Sequence, residues 1–485
     1  MNGKRIFGLL VTMLILSSII AACAQPTPQV IEKQVIVKEE VPVTVEVEKE
    51  VVVEKKVVET VEVEKEVVVE KEVVVEKEVE VTPVAGRCAP IDPNEVEVIK
   101  IGAPVPQSAP GAIAGGRAMM TAFNIAVQHI NDAGGILGKP VKVIFYDTAS
   151  LPERGTAAGE YLITQECVVG IVGEYHSSAG VAMKEISHKY HMPTVFAETW
   201  NDTITGVGYE EVFRIAPASS MVAKADASYL QALGAKFVVI ASENTDYGVP
   251  AAEATTEKLA ALGIEAETYL ADKGTLDYGP IIARIQAGPT PDAILVLITG
   301  EDSYNFEQQA AEAGLMPNED TICIANQVAI QSDVFWESVP DGNWCAFRKV
   351  GLVPALANEV TKKFEADYRK AFDWFPESFA LEAYDSMMLM AGAIERAGTL
   401  DPDAIIDALE ASDITLAQGH YYFKYGTHNP VPANEPEWMW HQWPDPAVLF
   451  LQYFEVGQDG DDAAVVYPEV YQTHGTFLIP YGTTP

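Results

Sequence analysis

From Val96 onward the chain alternates short apolar strands with amphipathic helices, and it does so in two consecutive series. No other feature limits the fold as tightly, because parallel strands need a helical crossover between them and the crossovers run with one hand. The first series predicts strands over 97–102, 141–146, 168–172 and 194–197. Its helices fall over 115–133, 154–165 and 179–190, the first with Ala118, Met119, Ala122, Ile125, Ala126 and Ile130 at helical spacing. The second series begins near Met221. It sets helices over 221–233, 250–262, 278–287 and 303–314 against strands over 237–241, 265–270, 293–299 and 321–325. Two long helices, 358–372 and 377–397, and a shorter one at 402–411 follow. The expectation is an α/β protein of two parallel sheets, each covered by helices on both faces. One lobe is expected to comprise 96–218 plus 345–445, the other 219–344 plus 446–485, with three crossings near 218, 345 and 445. Ligands of such sheets bind beyond the carboxyl ends of the strands, so the residues just after each strand are the candidate site.

The first 95 residues have a different character. Lys4 and Arg5 precede an uncharged apolar run from Ile6 to Ile20, shorter than the roughly 20 residues a spanning helix needs. That predicts a secretory leader over 1–22, ending in Ile20-Ala21-Ala22-Cys23. Residues 30–82 repeat the hexad Val-Val-Val-Glu-Lys-Glu, clearest at 67–72 and 73–78. A period of six matches neither the heptad nor the 11-residue repeat of supercoiled helices. It is commensurate with a strand, although each face then mixes valine with charge. The segment 23–95 reads as a stalk with flexible or partly ordered backbone.

The formal charge of the 485 residues is −38, of which 30–82 supply 16 Glu against 8 Lys. A surface this acidic repels nucleic acid and anionic headgroups and favours solubility. Beyond Cys23 there remain Cys88, Cys167, Cys323 and Cys345. In an exported chain an even number favours disulfides, and four cysteines allow three pairings. Cys323 and Cys345 both sit near strand ends of one lobe, which favours that pair and leaves Cys88 with Cys167.

Several short patterns carry weak chemistry or none. His188 and His191 stand three apart on a helix without an evident third ligand, so no metal is expected. His176-Ser177 lacks the Gly-x-Ser-x-Gly elbow, and neighbours in sequence do not make a triad, so no enzyme is expected. Gly111–Gly116 is not a dinucleotide fingerprint, and no cofactor is implied. The acidic stretch 458–462 lacks the spacing of a calcium loop. Trp438, Trp440 and Trp443 read as packing of a terminal segment or as a cap on the pocket. Gly173 to Ser178 is more informative. It follows an apolar strand and opens a helix, so hydroxyls and backbone N–H groups face one spot, suited to a carboxylate or carbonyl oxygen or to simple N-capping.

An ordered series of such segments resembles the branched-chain amino acid and amide binding proteins of ABC transporters. It runs through Ile99–Gly102, Asn131–Gly138, Tyr146-Asp147, Gly170–Gly173 leading to Ser177-Ser178, and Phe213-Arg214. It continues with Asp246–Gly248, Asp277-Tyr278, Pro291–Ala293 and Ala383–Asp385. The likeness covers about 97–415. It implies the type I periplasmic binding fold, two Rossmann-like lobes joined by a three-strand hinge, and a lipobox whose Cys23 carries the lipid. It also implies a ligand site of Tyr175, Ser177, Ala197 and Thr199 on the first lobe, closed by Tyr247, Tyr278 and Asp302 from the second. Asp302, in preference to Glu301, is then the partner of an α-ammonium group. The implied partners are a small polar solute (an amino acid or, alternatively, urea or a short amide), permease subunits and a membrane reached through the anchor. The implied location is extracytoplasmic. A sensory receptor without transport is the rival of a different class.

Overall fold

The computed structural model describes residues 29–45, 65–81, 86–325, 330–342 and 344–475. The leader over 1–22 and Cys23 lie outside them. The chain divides into two units, 1–85 and 86–485.

In the first unit, β1 (Gln29–Val45) and β2 (Lys65–Val81) form an antiparallel two-stranded ribbon. The register sets Val35 opposite Val75 and Val37 opposite Val73, and places Lys38 opposite Glu72. Seventeen residues per strand span roughly 55 Å at the rise of extended chain. The period of six, a multiple of the strand's two, is what allows valines to stay in register along this length.

The second unit holds two sheets. In the first, β3 (Ile99–Val105), β4 (Val141–Asp147), β5 (Gly170–Gly173), β6 (Thr194–Phe196) and β7 (Val212–Arg214) lie in the order β4-β3-β5-β6-β7, all parallel. Three crossover helices, α1 (Ile113–Asp132), α2 (Pro152–Thr164) and α3 (Ser177–Tyr190), connect them. Asn131, in the last turn of α1, exchanges two hydrogen bonds with the Val141 backbone and so sets the tight turn into β4. In the second series the parallel strands are β8 (Phe237–Glu243), β9 (Glu265–Ala271), β10 (Ala293–Leu297), β11 (Ile322–Ala325) and β12 (Ala346–Gly351). Their order is β9-β8-β10-β11-β12. Helices α4 (Ser219–Ala232), α5 (Gly248–Ala261), α6 (Gly279–Ala287) and α7 (Glu301–Glu312) belong to this series. Later in the chain β13 (Ala447–Gln452) and β14 (Ala464–Tyr467) extend the sheet antiparallel beyond β12. Both sheets are wound outward in two directions from a central first strand, so each has one switch point, β3/β5 and β8/β10.

The middle crossing corrects the expected lobe boundary. The sequence placed 345 at the return to the first lobe, yet β12 is fully buried and continues the parallel wind beside β11. The bond between Cys323 and Cys345 ties its start to β11. The chain leaves the second lobe only after Gly351. Helices α8 (Glu359–Phe372), α9 (Ser378–Ala397) and α10 (Pro402–Glu410) then return to the first lobe, where α9 packs along α1. Residues 441–443 run beside β7 through the backbone bonds Arg214 N to His441 O and Trp443 N to Arg214 O. The indoles of Trp440 and Trp443 donate to the Tyr209 and His420 carbonyls, so both are packing residues of this lobe. Cys88 is joined to Cys167.

Candidate functional site between the lobes

Both switch points open onto the same space. The first lobe contributes the segments after β5 and β6, Glu174–Ser178 and Ala197–Asn201. The second contributes Asn244–Tyr247 after β8 and Ile298–Asp302 after β10. These loops touch. His176 Nε2 lies 2.7 Å from Glu243 Oε1, with both side chains buried. Asp246 N donates to Ser178 Oγ at 3.3 Å, and the Asn201 amide donates to the Asp246 carbonyl. Trp200 meets the Tyr247 ring edge-on at 6.1 Å, and the Arg348 guanidinium lies 6.0 Å from the Trp200 ring centre. Toward the outside, Arg117 pairs with Asp333 at 2.6 Å. Helix α1 has no side-chain cap of its own. Its Ile113 and Ala114 N–H groups donate across the cleft to Glu301, at 3.3 and 3.0 Å. A cleft of about 570 Å³ remains at the mouth, lined by Ser150, His176, Ser178, Asn201, Asp246 and Lys273 among others. Tyr175, Thr199, Trp200 and Tyr247 do not line that mouth and are buried.

The expected residues divide into three groups. Tyr175 and Thr199 are buried, and neither the Tyr175 hydroxyl nor Thr199 Oγ1 makes a hydrogen bond. Trp200 Nε1, given no role from sequence, shares that state. Three donors without partners inside a protein are costly to keep, and all three lie on the segments after β5 and β6 that border the cleft. Ser177 and Ala197 do backbone work. Ser177 Oγ accepts from Trp200 N and Asn201 N at 3.2 and 3.1 Å, and Ala197 N donates to Gly173 O. Arg214 completes this scaffold. Its guanidinium donates to the carbonyls of Thr199 and Asn201, and burial pulls it down to about 10.

The third group sits on the second lobe. Tyr247 and Tyr278 are buried at the starts of α5 and α6. Asp302 accepts from Gly274 N at 2.8 Å and pairs with Lys273 Nζ at 3.3 Å. Lys273 also reaches Glu243 at 3.6 Å, and Thr299 donates to Glu243 through both N and Oγ1. Burial alone would raise Glu243, but Lys273 and His176 hold it well below the usual carboxylate range.

A different acid stands near these residues. Glu198, hydrogen-bonded to Glu382, acts electrostatically on both Tyr175 and Tyr247, one from each lobe. Behind it, fully buried on α9, is Glu382. Burial, and after it the neighbouring Glu198, push Glu382 well above the usual range. The buried pair therefore favours holding a proton over carrying two negative charges. Sequence reading passed over both. The legible signal was an acid within the otherwise apolar run Phe379–Tyr384, where a helix face meant for the core has no reason to carry charge.

A profile of the periplasmic binding protein family matches residues 98–433. A Leu/Ile/Val-binding protein homolog of Brucella abortus is 28% identical over 375 residues, covering 72% of this chain and 89% of its own length. Among solved structures, a branched-chain amino acid transporter substrate binding protein of Streptococcus pneumoniae, in complex with isoleucine, superposes with a TM-score of 0.64. It is 24% identical and covers 76% of this chain and 100% of its own. A solute binding protein of R. palustris in complex with benzoate gives 0.64 at 19% identity, covering 76% and 95%.

Proposed function

The chain belongs to the periplasmic binding protein family, and on that premise we propose that it captures a free amino acid between its lobes and presents it to an ABC permease. One observation carries the ligand class: three buried donors without partners, Tyr175 Oη, Thr199 Oγ1 and Trp200 Nε1, lie on the same strand-end segments as Glu198, whose carboxylate acts electrostatically on Tyr175. Donors of this kind suit a carboxylate, and the acid suits an ammonium group. A zwitterion satisfies both at once, whereas urea or a neutral amide carries neither charge. Asp302 is the less suitable ammonium partner, being held by Lys273 and Gly274 N–H.

Capture proceeds by closure. In an open form the first-lobe donors stand ready, and the second lobe adds Tyr247 together with the contacts His176–Glu243 and Glu301 on α1. A ligand bound between the lobes gains contacts only in the closed state and so shifts the population toward it. Thermal-shift screening of the twenty amino acids, urea, acetamide and benzoate tests the ligand class, since a ligand at 100 times its Kd adds about 2.7 kcal/mol. Stabilisation by aliphatic amino acids supports the reading. Stabilisation by urea, acetamide or benzoate alone would refute it.

The leader and Cys23 support anchoring of the mature chain through a lipidated cysteine, with the Val/Glu/Lys ribbon as spacer. Mass spectrometry of the mature N-terminus should find a diacylated Cys23. An intact Met1 in the membrane fraction would sink that part.

A further inference from the structure

At the end of the first lobe opposite the cleft, a second polar cluster forms where α3 ends and β6 and β7 begin. The sequence offers only the pair His188 and His191. The fold adds Glu211, whose side chain is 0% exposed, and Glu210 beside it. His191 Nδ1 lies 3.5 Å from Glu211 Oε2 and 3.8 Å from Glu210 Oε1. Its Nε2 lies 2.6 Å from Asp403 Oδ1 on α10, and His188 Nδ1 lies 2.8 Å from Glu211 Oε1. Glu211 Oε2 makes no hydrogen bond although it is buried.

The Asp403 bond fixes a proton on Nε2. It leaves Nδ1 facing two carboxylate oxygens, an excess of negative charge that a cation among the three atoms would balance. Separations of 3.5 and 3.8 Å are long for a direct N–H···O bond. They are near the edge of about 3.4 Å between ligands each ~2.1 Å from a tetrahedral ion. The backbone agrees. His191 holds a left-handed conformation at φ 48°, at a helix end where glycine is the residue without strain, and this turn aims its ring at the glutamates.

We propose that His191, Glu210 and Glu211 ligate one divalent transition-metal ion of the zinc class, with Asp403 and His188 holding the ligands in place. The ion clasps α3, the approach to β7 and α10, and is remote from the solute cleft. Its competitor is a proton on Nδ1, because a metal ligand must be deprotonated.

The test is calorimetric titration of the untagged, EDTA-stripped full chain with zinc alone, alongside metal analysis of the dialysed protein. The expected result is one equivalent bound, a raised melting temperature, and at least 30-fold weaker binding in both His191→Gly and Glu211→Gln. Glycine suits the φ of that position, so the first variant should fold. No zinc uptake below about 1 mM in the parent, or equal uptake by His191→Gly, would overturn the site in favour of a protonated histidine.

Discussion

Glu198 and Asp302 are both acids at the ends of parallel strands, and only their neighbours assign them different work. On the proposed pairing, removing the charge of Glu198 leaves the ligand ammonium unpaired, a loss that commonly costs ~2–5 kcal/mol, or roughly 30- to several-thousand-fold in affinity. Glu198→Gln is therefore expected to weaken amino-acid binding by at least 30-fold in calorimetry. Asp302→Asn should weaken it several-fold at most, through the loosened Lys273. The reverse order would return the ammonium to Asp302. Glu377 makes a different kind of prediction. Burial pushes its carboxyl up to about 8, against 4.5 unperturbed, while Tyr368 donates to it at 2.7 Å. The folded state thus holds this proton more tightly than the unfolded chain does. Its stabilising contribution is complete below pH 4.5 and is lost as the pH rises through about 8. Glu377→Gln, which stays neutral, should flatten the fall in melting temperature between about pH 5 and 9. Parallel curves for parent and variant would contradict the assignment. Thr199 was legible in the sequence as a residue following a strand. Glu382 was not, because its role depends on a partner 184 positions away.

At the scale of elements, α1 begins without a side-chain cap and receives one only from Glu301 of the facing lobe. The contact between the lobes thus supplies the cap that the helix lacks. Gly300 permits it. It holds φ 62°, and a Cβ there would lie 2.8 Å from the Cβ of Ala112. Gly300→Ala should leave each lobe folded, block full closure and weaken solute binding at least tenfold, with small-angle scattering reporting a larger radius of gyration than the parent at saturating ligand. Unchanged affinity would show that the Gly300–Ala112 approach is dispensable. Strand β12 marks where sequence reading misplaced an element boundary. Its composition suits either sheet, and only the parallel wind beside β11 and the disulfide at its start put it in the second. The helix and strand periods of both β/α series were readable because each element buries a face of its own.

Across the whole molecule, two disulfides reinforce lobes that three backbone crossings already connect. Cys88–Cys167 joins residues 79 apart and Cys323–Cys345 residues 22 apart. In the chain-entropy account these separations correspond to about 4.5 and about 3.4 kcal/mol. Replacing the first pair by serine should therefore lower the denaturant midpoint more than replacing the second. The opposite order would mean that native packing around β12, not loop closure, governs the effect.

The sequence by itself determined the α/β class, the tandem series that builds two sheets, and the strand-end segments that border the cleft. These follow from local periodicity and from the handedness of crossovers, which every short stretch reports. Only the tertiary structure decided which side chains in those segments are free to meet a solute. Ser177 is consumed by Trp200 and Asn201, Asp302 by Lys273, and Thr199 and Trp200 keep donors without partners. Hydrogen-bond saturation depends on groups far apart in the chain, and no local pattern of residues records it.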